Sequence, residues 1–200
     1  MSRVARAAAL ALAAALTGAA PSAQVAGPYY TLETTVLHYN VGTGAFAADA
    51  PVRITKPRLD VAADRAEGNA RTGVATLRGN VLVHDAGGRG SPQGKDAAPA
   101  TLSCDQLDLD GKRDTYHAEG NAHYASADRT ATAQTMVLDR KQKKLHLAGD
   151  VVLTQGESTA HADVVDVDLG SGRTVSTGAP VVLTQPASPN PRPAPSPSPQ

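Results

Sequence analysis

The residues with the clearest potential for metal chemistry lie in one alternating segment, YHAEGNAHYA, which holds His117, Glu119 and His123. A strand rises about 3.3 Å per residue, so His123 would lie roughly 20 Å from His117, too far to share an ion. His146 precedes its glycine by three residues, as His117 does. On adjacent strands the two rings would lie about 5 Å apart, and Glu119 would complete a zinc site. A polar, solvent-facing strand surface explains the same residues and is favoured, so no metal site is predicted.

Other patterns that could carry chemistry are weak. Residues 108–114, DLDGKRD, resemble part of a calcium loop but lack the twelve-residue length, terminal Glu and flanking helices of an EF-hand. The Asp110-Gly111 pair within them is typical of a hairpin turn. No G-x-S-x-G motif occurs, and the single cysteine, Cys104, is predicted to be a small buried apolar residue. We therefore predict that the protein is not an enzyme and has no cofactor.

Charge and composition narrow the class of protein further. The 200 residues carry 19 basic and 19 acidic side chains, whereas nucleic-acid binding needs a dense basic surface. The chain has no Trp and one Phe, which suits thin β-layers of Val, Leu, Ala and Thr better than a large globular core. Its length fits one domain.

The first 26 residues have the pattern of an export signal. Arg3 and Arg6 precede an apolar run over residues 7–20. Because a membrane-spanning helix needs about 20 apolar residues, this short run predicts a secretory signal peptide rather than an anchor. Cleavage is expected within residues 20–26, and an uncleaved anchor is the alternative.

Two other segments lack apolar periodicity and lie within or after the predicted domain, residues 27–185. Residues 86–99, AGGRGSPQGKDAAP, are predicted to be an inserted surface loop. Their glycines do not predict a phosphate site, because no helix pattern follows them. Residues 186–200 contain seven prolines and are predicted to be an extended, disordered tail.

Small residues recur at the centres of alternating segments and define an internal repeat. Their spacings are 29, 41, 29 and 30 residues, and removing about twelve residues of the inserted loop restores a constant period. Glycine within a strand marks a bend or a close approach. If the segments are adjacent strands of a sheet, their centres would form a line across its inner face. The sheet could then fold about this line. This small-residue line consists of Ala50, Gly79, Gly120, Gly149 and Ala179.

Side chains two residues apart on either side of each centre are almost all apolar, and they share one face of a strand. The opposite face is mostly polar, with His, Asp, Asn and Arg side chains. The main residues of this predicted inner face are Phe46, Leu77, Val81, Val83, Tyr116, Tyr124, Leu145, Leu147, Val151, Leu153, Val175 and Val181.

Short polar turns join each segment to a weaker strand upstream, at residues 42–44, 110–114, 140–144 and 170–173. Such turns favour antiparallel hairpins. A parallel β-solenoid also has short turns and a fixed period. We therefore predict an all-β fold built as an antiparallel folded sheet, with the solenoid as the alternative.

The segments VATLRGNVLVHD, YHAEGNAHYAS and LHLAGDVVLTQ resemble the OstA-like repeats of lipopolysaccharide transport proteins. That family includes LptA, LptC and the N-terminal domain of LptD. The resemblance implies a V-shaped β-jellyroll whose inner-face residues contact the acyl chains of lipid A. It also implies a periplasmic carrier that docks end to end with LptC-like and LptD-like domains and moves the glycolipid toward the outer membrane. The inserted loop and the tail depart from the family pattern.

Two alternatives stay open at the level of sequence. The apolar residues would serve equally as the closed core of an exported structural or polysaccharide-binding β-solenoid without a lipid groove. Within the resembled family, an uncleaved leader would give an LptC-like protein held at the inner membrane. A homo-oligomer is compatible with each of these.

Overall fold

The computed structural model describes residues 23–87, 98–178 and 181–184, which form strands joined by turns. The described residues contain no helix that is long and apolar enough to span a membrane. The strands are β1 (Ala23–Ala26), β2 (Thr31–Thr34), β3 (His38–Tyr39), β4 (Ala45–Ala48), β5 (Val52–Lys56), β6 (Leu59–Ala63), β7 (Arg65–Asn69), β8 (Val74–Asp85), β9 (Ala100–Asp110), β10 (Thr115–Ala125), β11 (Arg129–Asp139), β12 (Lys144–Gln155), β13 (Ser158–Asp168), β14 (Thr174–Thr177) and β15 (Val182–Thr184).

All of these strands belong to one sheet, and every ladder in it is antiparallel. The main path runs β1-β2-β5-β6-β8-β9-β10-β11-β12-β13-β14, with β3, β4 and β7 as a branch beside β8, and β15 beside β13. The end strands β1 and β14 do not pair with each other, so the sheet is open. The predicted antiparallel all-β fold is confirmed, and the parallel solenoid is excluded.

The sheet divides into two halves at the middle of the long strands. In β8, residues 74–78 pair with β7, whereas residues 82–85 pair with β6. We call the half that contains β6 the first arm and the half that contains β7 the second arm. The first arm comprises β1, β2, β5, β6, β15 and residues 81–85, 100–104, 122–125, 129–133, 151–155 and 158–162. The second arm comprises β3, β4, β7, β14 and residues 74–78, 106–110, 115–119, 135–139, 144–148 and 164–168.

The first repeat differs from the later ones because its strands are interrupted at the centre. Asp49, Ala50 and Pro51 separate β4 from β5, and Pro51 has no backbone N–H to give to a ladder. Asp64 likewise separates β6 from β7. The prediction that Ala50 lies at the centre of a strand is therefore wrong, because this residue occupies a bend between two strands.

The inner faces of the two arms form one apolar core. Buried and exposed side chains alternate along β8 and β9, as expected for strands with one covered face. Cys104 lies in this core, where burial and the charge of Asp105 raise the pKa of its thiol to about 12. The prediction of a small buried cysteine is confirmed.

The predicted leader, insert and tail fall largely outside the described residues. Residues 1–22, 88–97 and 185–200 are not among them. Strand β1 takes up the last four residues of the predicted leader and pairs with β2 through Ala23 to Ala26. The boundaries of these three segments stay predictions.

Candidate functional site

The long strands bend at a bulge that recurs in three repeats. At each bulge the strand carries one residue more than its neighbour, and both residues of a Gly-Asx pair have positive φ, as in Gly149 at 79° and Asp150 at 49°. Glycine adopts this conformation freely, and Asn and Asp tolerate it better than other residues. A bulge bends its strand, which explains why the sheet folds here. The pairs are Gly79-Asn80, Gly120-Asn121 and Gly149-Asp150.

The glycines of the small-residue line do not face the apolar interior. A Cβ built on Gly149 would lie 2.8 Å from the side chain of Gln134, and one on Gly120 would lie 2.5 Å from Asp105 Oδ2. Gln134 and Asp105 are exposed polar residues. The prediction that this line runs across the inner face is therefore wrong, because the positive φ turns the open side of each glycine outward.

One side-chain hydrogen bond fastens each bulge on the outer face. It is 2.8 Å long in all three repeats and joins residues 16 positions apart. In the third repeat the donor and acceptor exchange places, so the bond is kept although the residue types differ. The bonds run from Asn80 Nδ2 to Asp64 Oδ2, from Asn121 Nδ2 to Asp105 Oδ2, and from Gln134 Nε2 to Asp150 Oδ2.

The last repeat is shifted by one residue from its predicted position. Gly178 has a φ of 102° and faces the side chain of Asp163, as the other glycines face their polar neighbours. It takes the place predicted for Ala179, which itself lies outside the described residues. A shift of one residue moves each side chain to the opposite face of a strand.

Two of the predicted inner-face residues are consequently exposed. Val175 pairs with Asp166 on the outer face and is 43% exposed, whereas its neighbour Ser176 pairs with the buried Val165. Val181 precedes the last edge strand and is 47% exposed. Their placement on the buried face is wrong, because the register shifts in this repeat and no further described strand covers its end.

The other ten predicted residues lie in the core between the arms; whether they contact lipid stays a prediction. Sequence reasoning predicted the partner strands but did not assign their core residues, although the alternation in LDVA and LDLD could have located several of them. The ten are Phe46, Leu77, Val81, Val83, Tyr116, Tyr124, Leu145, Leu147, Val151 and Leu153. The missed residues include Leu32, Val61, Leu107, Leu109, Met136 and Val165.

A small apolar cavity lies between the arms. Its volume is about 30 Å³, room for about two water molecules. An acyl chain of several carbons would therefore enter only if the arms separate or the lining side chains repack. The lining includes Leu59, Val83 and Leu102 of the first arm and Tyr116, Met136 and Leu145 of the second.

Polar side chains join the arms beside this cavity. Lys56 Nζ of the first arm lies 2.6 Å from Asp114 Oδ1 and donates to the Tyr116 hydroxyl at 2.9 Å. Tyr116 in turn donates to Asp114 Oδ1 at 2.9 Å. Burial alone would raise the pKa of Asp114, but the hydrogen bond and charge of Lys56, with the charge of Arg140, hold this pKa below its usual value. Burial and the Asp114 charge raise the pKa of Tyr116.

A second ion pair lies next to the first. Arg140 Nη2 of the second arm lies 3.3 Å from Asp85 Oδ2 of the first arm, and its Nη1 lies 3.9 Å from Asp114 Oδ2. The Lys56 and Arg140 side chains are 10% and 7% exposed, so removing one partner would leave a charge with little access to water. We call Lys56, Asp85, Asp114, Tyr116 and Arg140 the ionic bridge.

The contacts between the arms are confined to one part of the sheet. The Tyr30 hydroxyl donates to the carbonyl of Val74 at 3.3 Å, and its ring packs edge-on against Phe46 with centroids 6.4 Å apart. By contrast, the described residues of β12 to β15 make no hydrogen bond or ion pair with the opposite arm. Among the described residues, polar contacts thus join the arms toward the N-terminal end of the cleft and not in β12 to β15.

The candidate metal residues lie on the sheet surface in a different arrangement from the one considered in the sequence. β11 separates β10 from β12, so Val137 lies between His117 and His146. His146 instead contacts a carboxylate of β13. One ligand atom from each of Asp108, His117 and Glu119 lies within 4.8 Å of the others.

The calcium-like segment forms a turn between β9 and β10. Asp110 Oδ1 accepts the backbone N–H groups of Lys112 and Arg113 at 3.0 and 2.9 Å. The carboxylate thus stabilises the turn, as Asp does in many turns that join strands.

Known families and a solved structure share this architecture. A family model described as LptA/(LptD N-terminal domain) LPS transport protein matches residues 60–173, and one described as Lipopolysaccharide-assembly, LptC-related matches residues 14–86. The crystal structure of LptH, the LptA homologous periplasmic component of the lipopolysaccharide transport device of Pseudomonas aeruginosa, is similar with a TM-score of 0.51 and 22% identity. The similarity covers 68% of this chain and 92% of that chain. No curated protein matches the sequence.

The likeness to LptH, at this level of identity, bears on the fold alone. The match to the first family model also identifies the family, because residues 60–173 are over half of the chain and extend from β6 to β13. All three Gly-Asx bulges lie inside this range. The chain therefore belongs to the LptA/(LptD N-terminal domain) family of lipopolysaccharide transport proteins.

Proposed function

We propose that this protein is a periplasmic carrier that holds the acyl chains of lipopolysaccharide between its two arms on the way to the outer membrane. The observation that supports it is the continuous apolar face enclosed by an open, folded sheet. The unpaired end strands β1 and β14 offer edges on which LptC-like and LptD-like domains would dock end to end. The role is one of binding and transfer, without catalysis or a cofactor.

The proposed role is closer to LptA than to a membrane-anchored LptC-like protein. Its basis is the short apolar run over residues 7–20, which fits a cleaved leader better than an anchor. The mass of the protein recovered from the periplasm tests this point. A mass that includes the first 20 residues would contradict it and favour the anchored role.

Loading would require the arms to separate, since the cavity of about 30 Å³ holds no acyl chain. Each methylene removed from water contributes about 0.8 kcal/mol, so ten would contribute roughly 8 kcal/mol. That gain acts against the cost of breaking the packing between the arms. The C-terminal end of the cleft would open first, because its described residues make no polar contact across the cleft.

Site-specific photocrosslinking tests the proposal with a matched pair of neighbours. Tyr124 is buried and lines the cavity, whereas His123 is exposed on the opposite face of the same strand. With a photoreactive phenylalanine analogue at each position in turn, lipopolysaccharide should be captured from position 124 and not from 123. Capture from 123 alone would contradict the assignment of the lipid to the cleft.

The small cavity also supports a second candidate function, a structural or polysaccharide-binding protein whose arms stay closed over a permanent core. This candidate predicts that the purified protein takes up no hydrophobic dye and forms no lipid crosslink from position 124. A dye titration distinguishes the two, because a carrier whose arms separate should bind the dye and release it when lipopolysaccharide is added.

A further inference from the structure

Arg129 is a buried arginine on the inner face of the first arm. It begins β11, where it alternates with the buried Ala131 and Ala133, and it is 8% exposed. The guanidinium stays charged at every relevant pH. Burying such a charge is costly unless a partner of opposite charge compensates it.

Arg129 has no such partner among the described residues, unlike the buried cations of the ionic bridge. Lys56 pairs with Asp114 and Arg140 pairs with Asp85. Arg129 makes no ion pair with any residue in the described part of the chain, and its buried Nε has no hydrogen-bond partner there. Within the described residues, its charge is therefore not compensated by an ion pair.

The surroundings of Arg129 connect it to the cavity. The Ser126 N–H donates to the Arg129 carbonyl in the turn that follows Tyr124, which lines the cavity. Burial raises the pKa of the Tyr124 hydroxyl. The charge of Arg129 lowers this pKa, whereas the charges of Asp128 and Asp85 raise it. The Arg129 charge thus acts on a side chain that lines the cavity.

The neighbouring carboxylates do not neutralise Arg129. Asp128 is exposed, and its Oδ1 accepts a hydrogen bond from Ser126 Oγ at 3.1 Å. Asp85 Oδ2 lies 3.3 Å from Arg140 Nη2. A bound anion would therefore meet the guanidinium of Arg129 without an ion-pair partner among the described residues. Asp128 accepts from Ser126, and Asp85 pairs with Arg140.

We propose that Arg129 binds the anionic group, a phosphate or a carboxylate, of an amphiphile whose apolar chain enters the cavity between the arms. This inference rests on the proposed lipid-carrying function and adds to it the chemistry of the head group. A guanidinium suits the task because its planar N–H groups match two oxygens of one phosphate or carboxylate.

Calorimetric titration of the full chain with three probes tests the proposal: bisphosphorylated lipid A, the same lipid with its phosphates removed, and inorganic phosphate. Charge-assisted hydrogen bonds predict that the wild type binds the phosphorylated lipid about tenfold more tightly than the dephosphorylated one. Arg129→Gln should remove this difference, whereas Arg129→Lys should keep part of it. Arg53→Gln is the control, because Arg53 is exposed on the outer face of the same arm and pairs with Asp60.

The outcomes separate this inference from the proposed function. An equal loss of affinity for both lipids in Arg129→Gln, or no loss for either, would overturn the anion site. The thermal midpoint of Arg129→Gln should match or exceed that of the wild type, since an uncompensated buried charge is removed; a lower midpoint would also count against the site. Binding of inorganic phosphate that depends on Arg129, with no lipid bound, would support an anion site for free phosphate and contradict the lipid function. Binding of none of the probes would overturn both proposals.

Discussion

The two ends of the cleft are built from the same repeat but are joined differently. Toward the N-terminal end, the ionic bridge and the Tyr30 contacts connect the arms. In β12 to β15 the described residues make no polar contact across the cleft, and Val175 and Val181 are exposed. The repeat therefore provides the bend along most of the sheet, whereas side chains that differ between the repeats decide where the arms stay together.

The residues of the ionic bridge show why the ends differ. Lys56, Asp85, Asp114 and Arg140 lie at the outer ends of strands or in turns, far from the bulges. Lys56 and Asp85 each lie six residues after the centre of their repeat, but they carry opposite charges, and the same position in the next two repeats holds the uncharged Ser126 and Gln155. The bridge therefore forms once and not at every hairpin. The joined end is expected to resist separation, and the other end to admit a ligand.

The largest effect is expected at a bulge. Because both ends of the cleft share the bulge, stability should depend on its backbone conformation at the unjoined end as well. Gly149→Val should lower the free energy of unfolding by about 3 kcal/mol, because a β-branched residue is strained at φ 79° and its Cβ would crowd Gln134 at 2.8 Å. Denaturant unfolding measures this. Asp150→Asn should be nearly neutral, because Asn also tolerates positive φ and accepts from Gln134. A Gly149→Val variant as stable as the wild type would show that the bulge is dispensable.

Removing the Lys56 cation of the ionic bridge should have the next largest effect. It should make the joined end of the cleft resemble the unjoined end. Lys56→Met should cost about 2 kcal/mol, because it leaves Asp114 partly buried without its closest cation. Binding of a hydrophobic dye should increase in the same variant. Lys144→Met, at an exposed position that begins β12, should change the stability by less than about 0.5 kcal/mol. Equal effects of the two substitutions would contradict the distinction between the ends.

A smaller effect is expected from the titration of Asp114. Its pKa is lowered in the folded protein from the usual 3.8, so its contribution is fully present above that value and is lost as the pH falls through the lowered pKa. The wild type should therefore lose more stability than Asp114→Asn when the pH falls below about 4. Unfolding measured at several pH values would show this. Parallel pH profiles for the two proteins would rule out a contribution of this carboxylate.

The smallest effect is expected at the exposed end of the cleft. Val175→Thr should change the free energy of unfolding by less than about 0.5 kcal/mol, because the side chain is on the outer face. Val151→Thr, which places a hydroxyl in the core, should cost about 1–3 kcal/mol. If the two substitutions cost the same, the register assigned to β14 is wrong.

The sequence by itself was sufficient for the class of fold and for part of the core. Alternation of apolar residues is a local property, because side chains two apart share a face whatever the rest of the chain does. It located buried residues such as Leu147 and Val151, and the recurring glycine located the bend. The segments around these glycines also carried the resemblance to the family that the comparison of residues 60–173 then showed.

Only the tertiary structure decided the features that depend on register and on contacts distant in sequence. A one-residue shift at Gly178 moved Val175 to the outer face, because the side-chain period of a strand is two. The pairing of Lys56 with Asp114 joins residues 58 positions apart, and no local pattern encodes such a contact. Arg129 reads as an ordinary polar residue at the start of a strand, and its significance appears only because folding buries it beside the cleft without a partner among the described residues.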